Sequence, residues 1–150
     1  MSNPARLSTR ELDRTEAEAI LARNSVGRLA FTFHDAVDIE PLGYVYANGL
    51  INFRTSPGTK LDVLRHQRTV AFEVDEVEGP FSWKSVVVRG TVYPATPEGS
   101  QHDRDAFAAA REALKGVYPG ALEAGDPAGF RTVILQLHIA SITGRTAVLE

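Results

Sequence analysis

Six runs rich in apolar and β-branched residues, joined by short polar connections, are the feature that most constrains the fold of this chain. The runs cover residues 26–33, 37–46, 50–54, 69–77, 83–95 and 131–143. Asn48 and Gly49 separate the second run from the third, and they suit a type I′ hairpin turn because both of its central positions have positive φ. Strands joined in this way are antiparallel. Six of them need to close into a barrel if their edges are to be satisfied.

Three other segments have the features of helices at the rim of such a sheet. Asp13 with Glu16 three residues later predicts a capping box at the start of a helix that ends near Asn24. A short second helix is predicted to follow the polar loop 55–59, and a third covers 101–115. We therefore expect a mainly β (α+β) protein, an antiparallel barrel with a few peripheral helices.

The chain is expected to form a single domain over residues 1–150. Its length is typical of one domain, and neither an internal repeat nor an interdomain linker interrupts it. Residues 1–7 have the composition of a flexible lead-in. Between 118 and 130 the composition shifts to Gly, Pro, Ala and Asp, which is typical of a mobile surface loop.

Composition excludes several classes of function. A net charge of -3 with scattered arginines argues against a nucleic-acid partner. The absence of cysteine excludes disulfides, iron–sulfur clusters and a cysteine nucleophile, and the four histidines lack metal-binding spacing, so no metal site is expected. No apolar run approaches the roughly 18 residues of a membrane span. We therefore expect a cytoplasmic protein with no membrane partner.

The segment 53–61 (FRTSPGTKL) is the one that points to chemistry. It combines Arg54 and Lys60 with three hydroxyl groups, a glycine and the expected start of a helix. Backbone N–H groups at a helix N-terminus carry partial positive charge, and together with hydroxyls and cations they can bind a phosphate dianion. The alternative is an ordinary polar turn in which Thr59 caps a surface helix and both cations are merely solvated.

Several motifs together resemble those of the pyridoxamine 5′-phosphate oxidase-like flavoproteins, which have the FMN-binding split β-barrel fold. The motifs are NSVGRLA at 24–30, the segment 41–44 ahead of the hairpin, FRTSPGTKL at 53–61, AFEVDEV at 71–77, WKSVVVRG at 83–90 and TGR at 143–145. The resemblance covers most of the chain. It implies an antiparallel split barrel that binds FMN.

The resemblance also implies a set of cofactor contacts and a partner. The residues implied at the FMN phosphate and ribityl chain are Arg54, Thr55, Ser56 and Lys60. Those implied beside the isoalloxazine ring are Pro41, Leu42, Gly43 and Tyr44 on one strand, with Trp83, Ser85 and Val86 at the start of a later one. In such proteins the flavin lies at the interface of a homodimer, so each site draws on both subunits.

The resemblance favours an FMN-dependent oxidoreductase that acts on a small molecule, because a flavin supplies the electron sink that this chain lacks. The Arg and His pair that grips pyridoxal phosphate in the vitamin B6 oxidase has no counterpart here, since the C-terminus offers only Arg145. Two alternatives stay open: a reductase that uses a deazaflavin cofactor in the same loop, and a non-enzymatic flavin- or haem-binding protein. No catalytic residue is assigned.

Overall fold

The computed structural model of the chain describes residues 3–150, which contain seven strands and three helices. Their bounds are β1 Leu7–Glu11, α1 Arg14–Arg23, β2 Val26–Phe33, β3 Ala36–Ala47, β4 Leu50–Thr55, α2 Thr59–His66, β5 Thr69–Gly79, β6 Ser82–Pro94, α3 Gln101–Val117 and β7 Val133–Leu149. The six predicted strands and three predicted helices are confirmed. Strand β1 was not predicted, because its sequence lacks the apolar alternation that marks the other strands.

The strands form one antiparallel sheet that closes on itself. The strand order is β1-β7-β4-β3-β2-β5-β6, and β6 also pairs with β7, which joins the two ends of the sheet. The predicted antiparallel split barrel is therefore confirmed. A register shift at Arg89 and Gly90 lies in the β6–β7 pairing. Gly90 is required there, since a Cβ at this position would overlap the carbonyl oxygen of His138.

Strand β7 extends six residues beyond the predicted end at 143 because its second half has a partner of its own. Residues 145–149 pair with β1, and Glu150 exchanges backbone hydrogen bonds with Arg6. The lead-in predicted over 1–7 lies partly outside the described residues. Within them, the chain is already hydrogen-bonded at Arg6 and enters β1 at Leu7.

Local sequence signals account for the short connections. Asn48 and Gly49 have φ values of 56° and 74°, as the hairpin turn requires. Asp13 caps α1, accepting a hydrogen bond from the backbone N–H of Glu16 while the Glu16 side chain accepts one from the N–H of Asp13. The predicted capping box is confirmed.

The barrel interior and a second, smaller apolar cluster hold the helices. Helices α1 and α2 bury their apolar stripes against the main core, which contains Tyr44, Phe53 and Phe72 without solvent exposure. Helix α3 packs outside the barrel, where Ala110 and Leu114 contact Ile134 of β7. One part of the outer sheet surface is thus covered by α3. No helix among residues 3–150 is long and apolar enough to cross a membrane.

The end of α1 is fixed to the sheet by Glu76 of β5. Its carboxylate accepts hydrogen bonds from the Arg23 guanidinium and from Nδ2 of Asn24. The Arg23 interaction, with the added Asn24 bond, lowers the pKa of Glu76 to about 2. Because the folded-state pKa lies below the ordinary value of 4.5, this contribution to stability is present above about pH 4.5 and is lost as the pH falls toward 2.

We predict that Glu76→Gln lowers the free energy of unfolding by about 1 kcal/mol at pH 7, because Arg23 is half exposed and its ion pair is partly screened. The difference from the wild type should vanish near pH 2. Urea unfolding at several pH values measures it, with the exposed Glu98→Gln as the control variant. A difference that is the same at pH 7 and pH 2 would contradict the assignment.

Candidate cofactor site

The N-terminus of α2, which follows the loop after β4, is exposed to solvent. Strand β4 ends at Thr55, and α2 begins at Thr59 with Gly58 as its N-cap residue at a φ of 155°. No side chain in the described part of the chain, residues 3–150, caps this helix. The interpretation in which Thr59 caps a surface helix is therefore wrong, because Thr59 is the first helical residue. The first-turn N–H groups are left available to a ligand.

This helix N-terminus faces a cleft of about 270 Å³. The cleft is lined by Glu40, Pro41, Leu42, Arg54, Thr55, Ser56, Pro57, Gly58, Thr59, Lys60, Phe130 and Arg131. All four residues predicted at the FMN phosphate therefore line one cleft. Of the four predicted beside the isoalloxazine ring on β3, Pro41 and Leu42 line it as well. The cleft combines cations, hydroxyls and backbone donors at a helix N-terminus with Glu40, Pro41 and Leu42 of β3.

Arg54 is held in place by a carboxylate from the 118–130 loop. Its Nη1 lies 2.6 Å from Oδ2 of Asp126, and the two side chains are only 7% and 4% exposed. Asp126 also accepts hydrogen bonds from the backbone N–H groups of Leu122 and Ala128, both at 2.9 Å. These backbone bonds, with the Arg54 bond, lower the pKa of Asp126 below its ordinary value. The carboxylate therefore stays charged and anchors both the loop and Arg54.

Lys60 has a more exposed partner. Its Nζ lies 2.6 Å from Oε2 of Glu40, and the two side chains are 27% and 40% exposed. Exposed ion pairs of this kind contribute little free energy, so an incoming anion can replace the carboxylate at small cost. Between the two cations the hydroxyl of Thr55 is buried, and its nearest acceptor, the Ser56 carbonyl oxygen, is 3.4 Å away. That bond is long, so the hydroxyl is free for a better partner.

Successive side chains of β3, the strand predicted to lie beside the isoalloxazine ring, point to opposite faces of the sheet, and only some of them reach the cleft. Pro41 and Leu42 line the cleft, whereas the ring of Tyr118 lies so close over Gly43 that a Cβ there would overlap it. Tyr44 points into the barrel, where its hydroxyl donates a 2.7 Å hydrogen bond to the Leu21 carbonyl oxygen. Burial raises the pKa of Tyr44 well above its ordinary value. Within one chain, the Tyr44 side chain is therefore part of the core.

The three residues predicted on β6 lie away from the cleft of their own chain. Val86 is buried inside the barrel, and Trp83 borders a separate pocket near Thr146. Ser85 is on the outer surface, and its Oγ donates a 3.1 Å hydrogen bond to Oε2 of Glu73. The sequence prediction drew the site from two subunits, so this separation within one chain does not test it.

Four residues at the site are not predicted by any local sequence pattern. Asp126 is 72 positions from Arg54, and Glu40 is 20 positions from Lys60, so only tertiary structure pairs them. Phe130 is the last residue of the 118–130 loop, whose composition indicates only mobility, and Arg131 follows it, yet both line the cleft. Among residues 3–150 no group of three or more His, Asp or Glu side chains is arranged to hold a metal ion.

Proteins similar to this chain were found in three comparisons. One relative, an uncharacterized protein of Rhizobium meliloti strain 1021, is 32% identical over 97 residues, which span 63% of this chain and 64% of the relative. A FAD-binding protein of Mesorhizobium loti is 29% identical in its crystal structure, with a TM-score of 0.72 and coverage of 92% of this chain and 97% of that one. A FAD-binding protein of Mycobacterium smegmatis is 26% identical, with a TM-score of 0.67 and coverage of 91% and 98%.

The family model described as pyridoxamine 5′-phosphate oxidase matches residues 13–146, from the N-cap of α1 to Thr146 near the end of β7. The match includes every residue that lines the cleft. It also includes all of the barrel except β1 and the last residues of β7. The chain therefore belongs to the pyridoxamine 5′-phosphate oxidase family.

Proposed function

We propose that this protein is a flavin-dependent oxidoreductase that binds the 5′-phosphate of FMN in the cleft and acts on a small organic molecule. The observation that carries the proposal is the uncapped N-terminus of α2, which faces a cleft flanked by Arg54 and Lys60. The FAD-binding names of two similar structures support a flavin as the ligand. Membership in the family supports the same assignment.

The donors at the cleft fit a phosphate dianion. Arg54 uses Nη1 for Asp126 and makes no other hydrogen bond within residues 3–150, which leaves its remaining N–H groups for a ligand. The hydroxyls of Thr55 and Ser56 and the first backbone N–H groups of α2 complete the set. Charge-assisted bonds to phosphate from such groups are among the stronger polar interactions in proteins.

Pro41 and Leu42 would border the isoalloxazine ring. Both line the cleft next to Glu40, the partner of Lys60, and Pro41 has no backbone N–H to donate. A bound flavin supplies the electron sink for oxidation and reduction. The chain's own residues fix the phosphate, hold the ring strand and exclude water from one side of the cleft. We assign no catalytic acid or base.

The proposal includes a homodimer whose two sites are shared between subunits. Ladder partners lie on the same face of a sheet, and the pairs of Ala30 with Ile39 and of Val77 with Trp83 place all four on the outer surface that α3 leaves open. This open face exposes several apolar side chains, among them Val37 at 79%, Ile39 at 61% and Val77 at 66%. An apolar patch of this kind is typical of an interface between proteins.

The same open face supports a shared site. Pro41, whose ladder partner is Arg28, lies on it beside the cleft, and Ser85, whose ladder partner is Asp75, lies on it at the other end. A second copy packed on this face would bring its own Trp83 and Ser85 toward the ring strand of the first. That arrangement would account for the distance between these residues and the cleft within one chain.

The purified protein is expected to bind FMN with a stoichiometry of one per chain, and a nicotinamide donor is expected to bleach the flavin absorbance under anaerobic conditions. Absorbance titration with FMN and, separately, with a deazaflavin cofactor measures the preference. Tighter binding of the deazaflavin would replace FMN in the proposal. FMN binding without reduction by any donor would favour a non-enzymatic flavin carrier.

Replacing Lys60 with Ala should weaken FMN binding about 10-fold to 100-fold, the equivalent of a charge-assisted bond of roughly 1.5–3 kcal/mol. Riboflavin, which lacks the phosphate, should bind equally well to both proteins. Calorimetric titration with the two ligands measures this, and Lys84→Ala, on β6 outside the cleft, controls for net charge. Arg54→Ala should act in the same direction but also destabilise the protein, because it leaves Asp126 buried without its cation. Equal losses of FMN and riboflavin would contradict a phosphate site.

Ile39→Glu should convert the dimer into monomers and abolish stoichiometric flavin binding, because it places a charge among the exposed apolar side chains of the open face. Light scattering coupled to size-exclusion chromatography measures the mass. Val117→Glu, at an exposed apolar position on the end of α3 away from that face, is the matched control. A wild-type monomer that still binds one flavin per chain would refute the shared site.

A further inference from the structure

We propose that the Tyr118 side chain contacts the isoalloxazine ring of the bound flavin and forms the wall at the ring end of the cofactor site. Tyr118 is the first residue of the 118–130 loop and directly follows α3. The inference rests on the proposed function, because it takes the ring to lie beside Pro41 and Leu42 of β3. It adds a cofactor-binding residue that no sequence pattern indicates.

Gly43 leaves room on β3 for the ring of Tyr118. A Cβ on Gly43 would overlap Oη of Tyr118 and lie 2.8 Å from its Cζ, so no larger residue fits there. Pro41 and Gly43 are two positions apart on one strand, so both lie on the outer face of the sheet, about 7 Å from each other. Pro41 lines the cleft. The Tyr118 ring therefore stands beside the cleft, at the next outward position of the same strand.

Three contacts hold the Tyr118 ring in this position. Its hydroxyl donates a 2.7 Å hydrogen bond to the carbonyl oxygen of Ser25, which also accepts one from the backbone N–H of Tyr44 at 3.0 Å. Its backbone N–H donates a 2.7 Å bond to the carbonyl oxygen of Leu114 at the end of α3. The ring itself packs against the apolar cluster between α3 and β7. A side chain fixed at both ends offers a ligand a preorganised surface, which lowers the entropic cost of binding.

The Tyr118 side chain is half-buried, so part of its surface is open to a ligand. Burial raises the pKa of its phenol, and the Tyr44 backbone N–H, Arg54 and Arg131 oppose this rise. Both arginines line the cleft, so the phenol lies within electrostatic reach of the cofactor site. The phenol stays protonated at neutral pH. An uncharged aromatic ring in this place suits an edge-to-face or offset contact with a planar flavin.

A tyrosine that only joins α3 to β3 would make the same contacts within the chain, so the test needs a signal from the flavin itself. An excited flavin takes an electron from a phenol in contact with it and returns the electron without emitting light, whereas a phenyl ring does not donate one. The fluorescence lifetime of bound FMN therefore reports whether Tyr118 touches the ring. An indole quenches in the same way, so the lifetime is compared in Trp83→Phe, which removes the indole proposed to approach from the second copy.

The lifetime of bound FMN should lengthen several-fold from Trp83→Phe to the double variant Trp83→Phe/Tyr118→Phe. The affinity for FMN should differ between these two proteins by less than about 3-fold, because Phe keeps the aromatic wall and only a hydrogen bond within the protein is lost. Tyr46→Phe in the same background should leave the lifetime unchanged. It is the matched control, because Tyr46 is half-buried on β3 and packs against the main core on the opposite face from Gly43.

Tyr118→Ala in the otherwise wild-type protein gives a second measurement that does not depend on Trp83. It should weaken the binding of FMN and of riboflavin equally, by about 3-fold to 10-fold, as the loss of one aromatic contact predicts. Calorimetric titration with both ligands measures this.

An unchanged lifetime in the double variant would overturn the inference and leave the proposed function intact. A loss in Tyr118→Ala that affects FMN but not riboflavin would also overturn it, because Tyr118 would then act on the phosphate rather than on the ring. Failure of the wild type to bind FMN or riboflavin would instead refute the proposed function itself.

Discussion

Strand β7 hydrogen-bonds to β6 along one edge and to β4 and then β1 along the other, and the positions of the site residues follow from this double pairing. The β6 pairing closes the barrel and encloses the core. The β4 pairing aligns the end of β4 with the start of β7, which brings the loop between β4 and α2 beside Phe130 and Arg131. Closure also removes the exposed edges that an open sheet would present. Strand β7 therefore closes the barrel, and the residues just before it form one wall of the cleft.

The cleft contains one cation that is held in place, Arg54, and others that are free to change partners. Asp126 accepts two backbone hydrogen bonds from its own loop, so it stays in place and holds Arg54 with it. Leaving either member of a buried pair alone is costly, which makes this pair a structural element as much as a binding one. Lys60 and Arg131 are more exposed and can turn to a ligand. The 118–130 loop is consequently part of the site's framework.

The outer surface of the barrel is divided into two parts with different roles. Helix α3 covers the end of β3, β4 and the first half of β7, where Val45 packs against the cluster of Ala110, Leu114 and Ile134. The rest of the outer surface has no covering element among the described residues and exposes apolar side chains from β2, β3 and β5. The cleft lies at the border between the two parts. A site at such a border suits a cofactor held by one chain and completed by another, which is the arrangement that we propose.

Local sequence patterns predict six of the seven strands, the Asn48–Gly49 hairpin, the capping box at Asp13 and the loop between Arg54 and Lys60. These features depend on neighbours within a few residues, so period, turn chemistry and capping suffice to predict them. Alternation alone did not say which face of β3 points inward, and only the closed barrel placed Tyr44 in the core with Pro41 outside. Likewise, only tertiary structure joined Asp126 to Arg54 across 72 positions and brought Arg131 to the cleft. Contacts between residues so distant in sequence depend on strand register and loop packing, which no local pattern encodes.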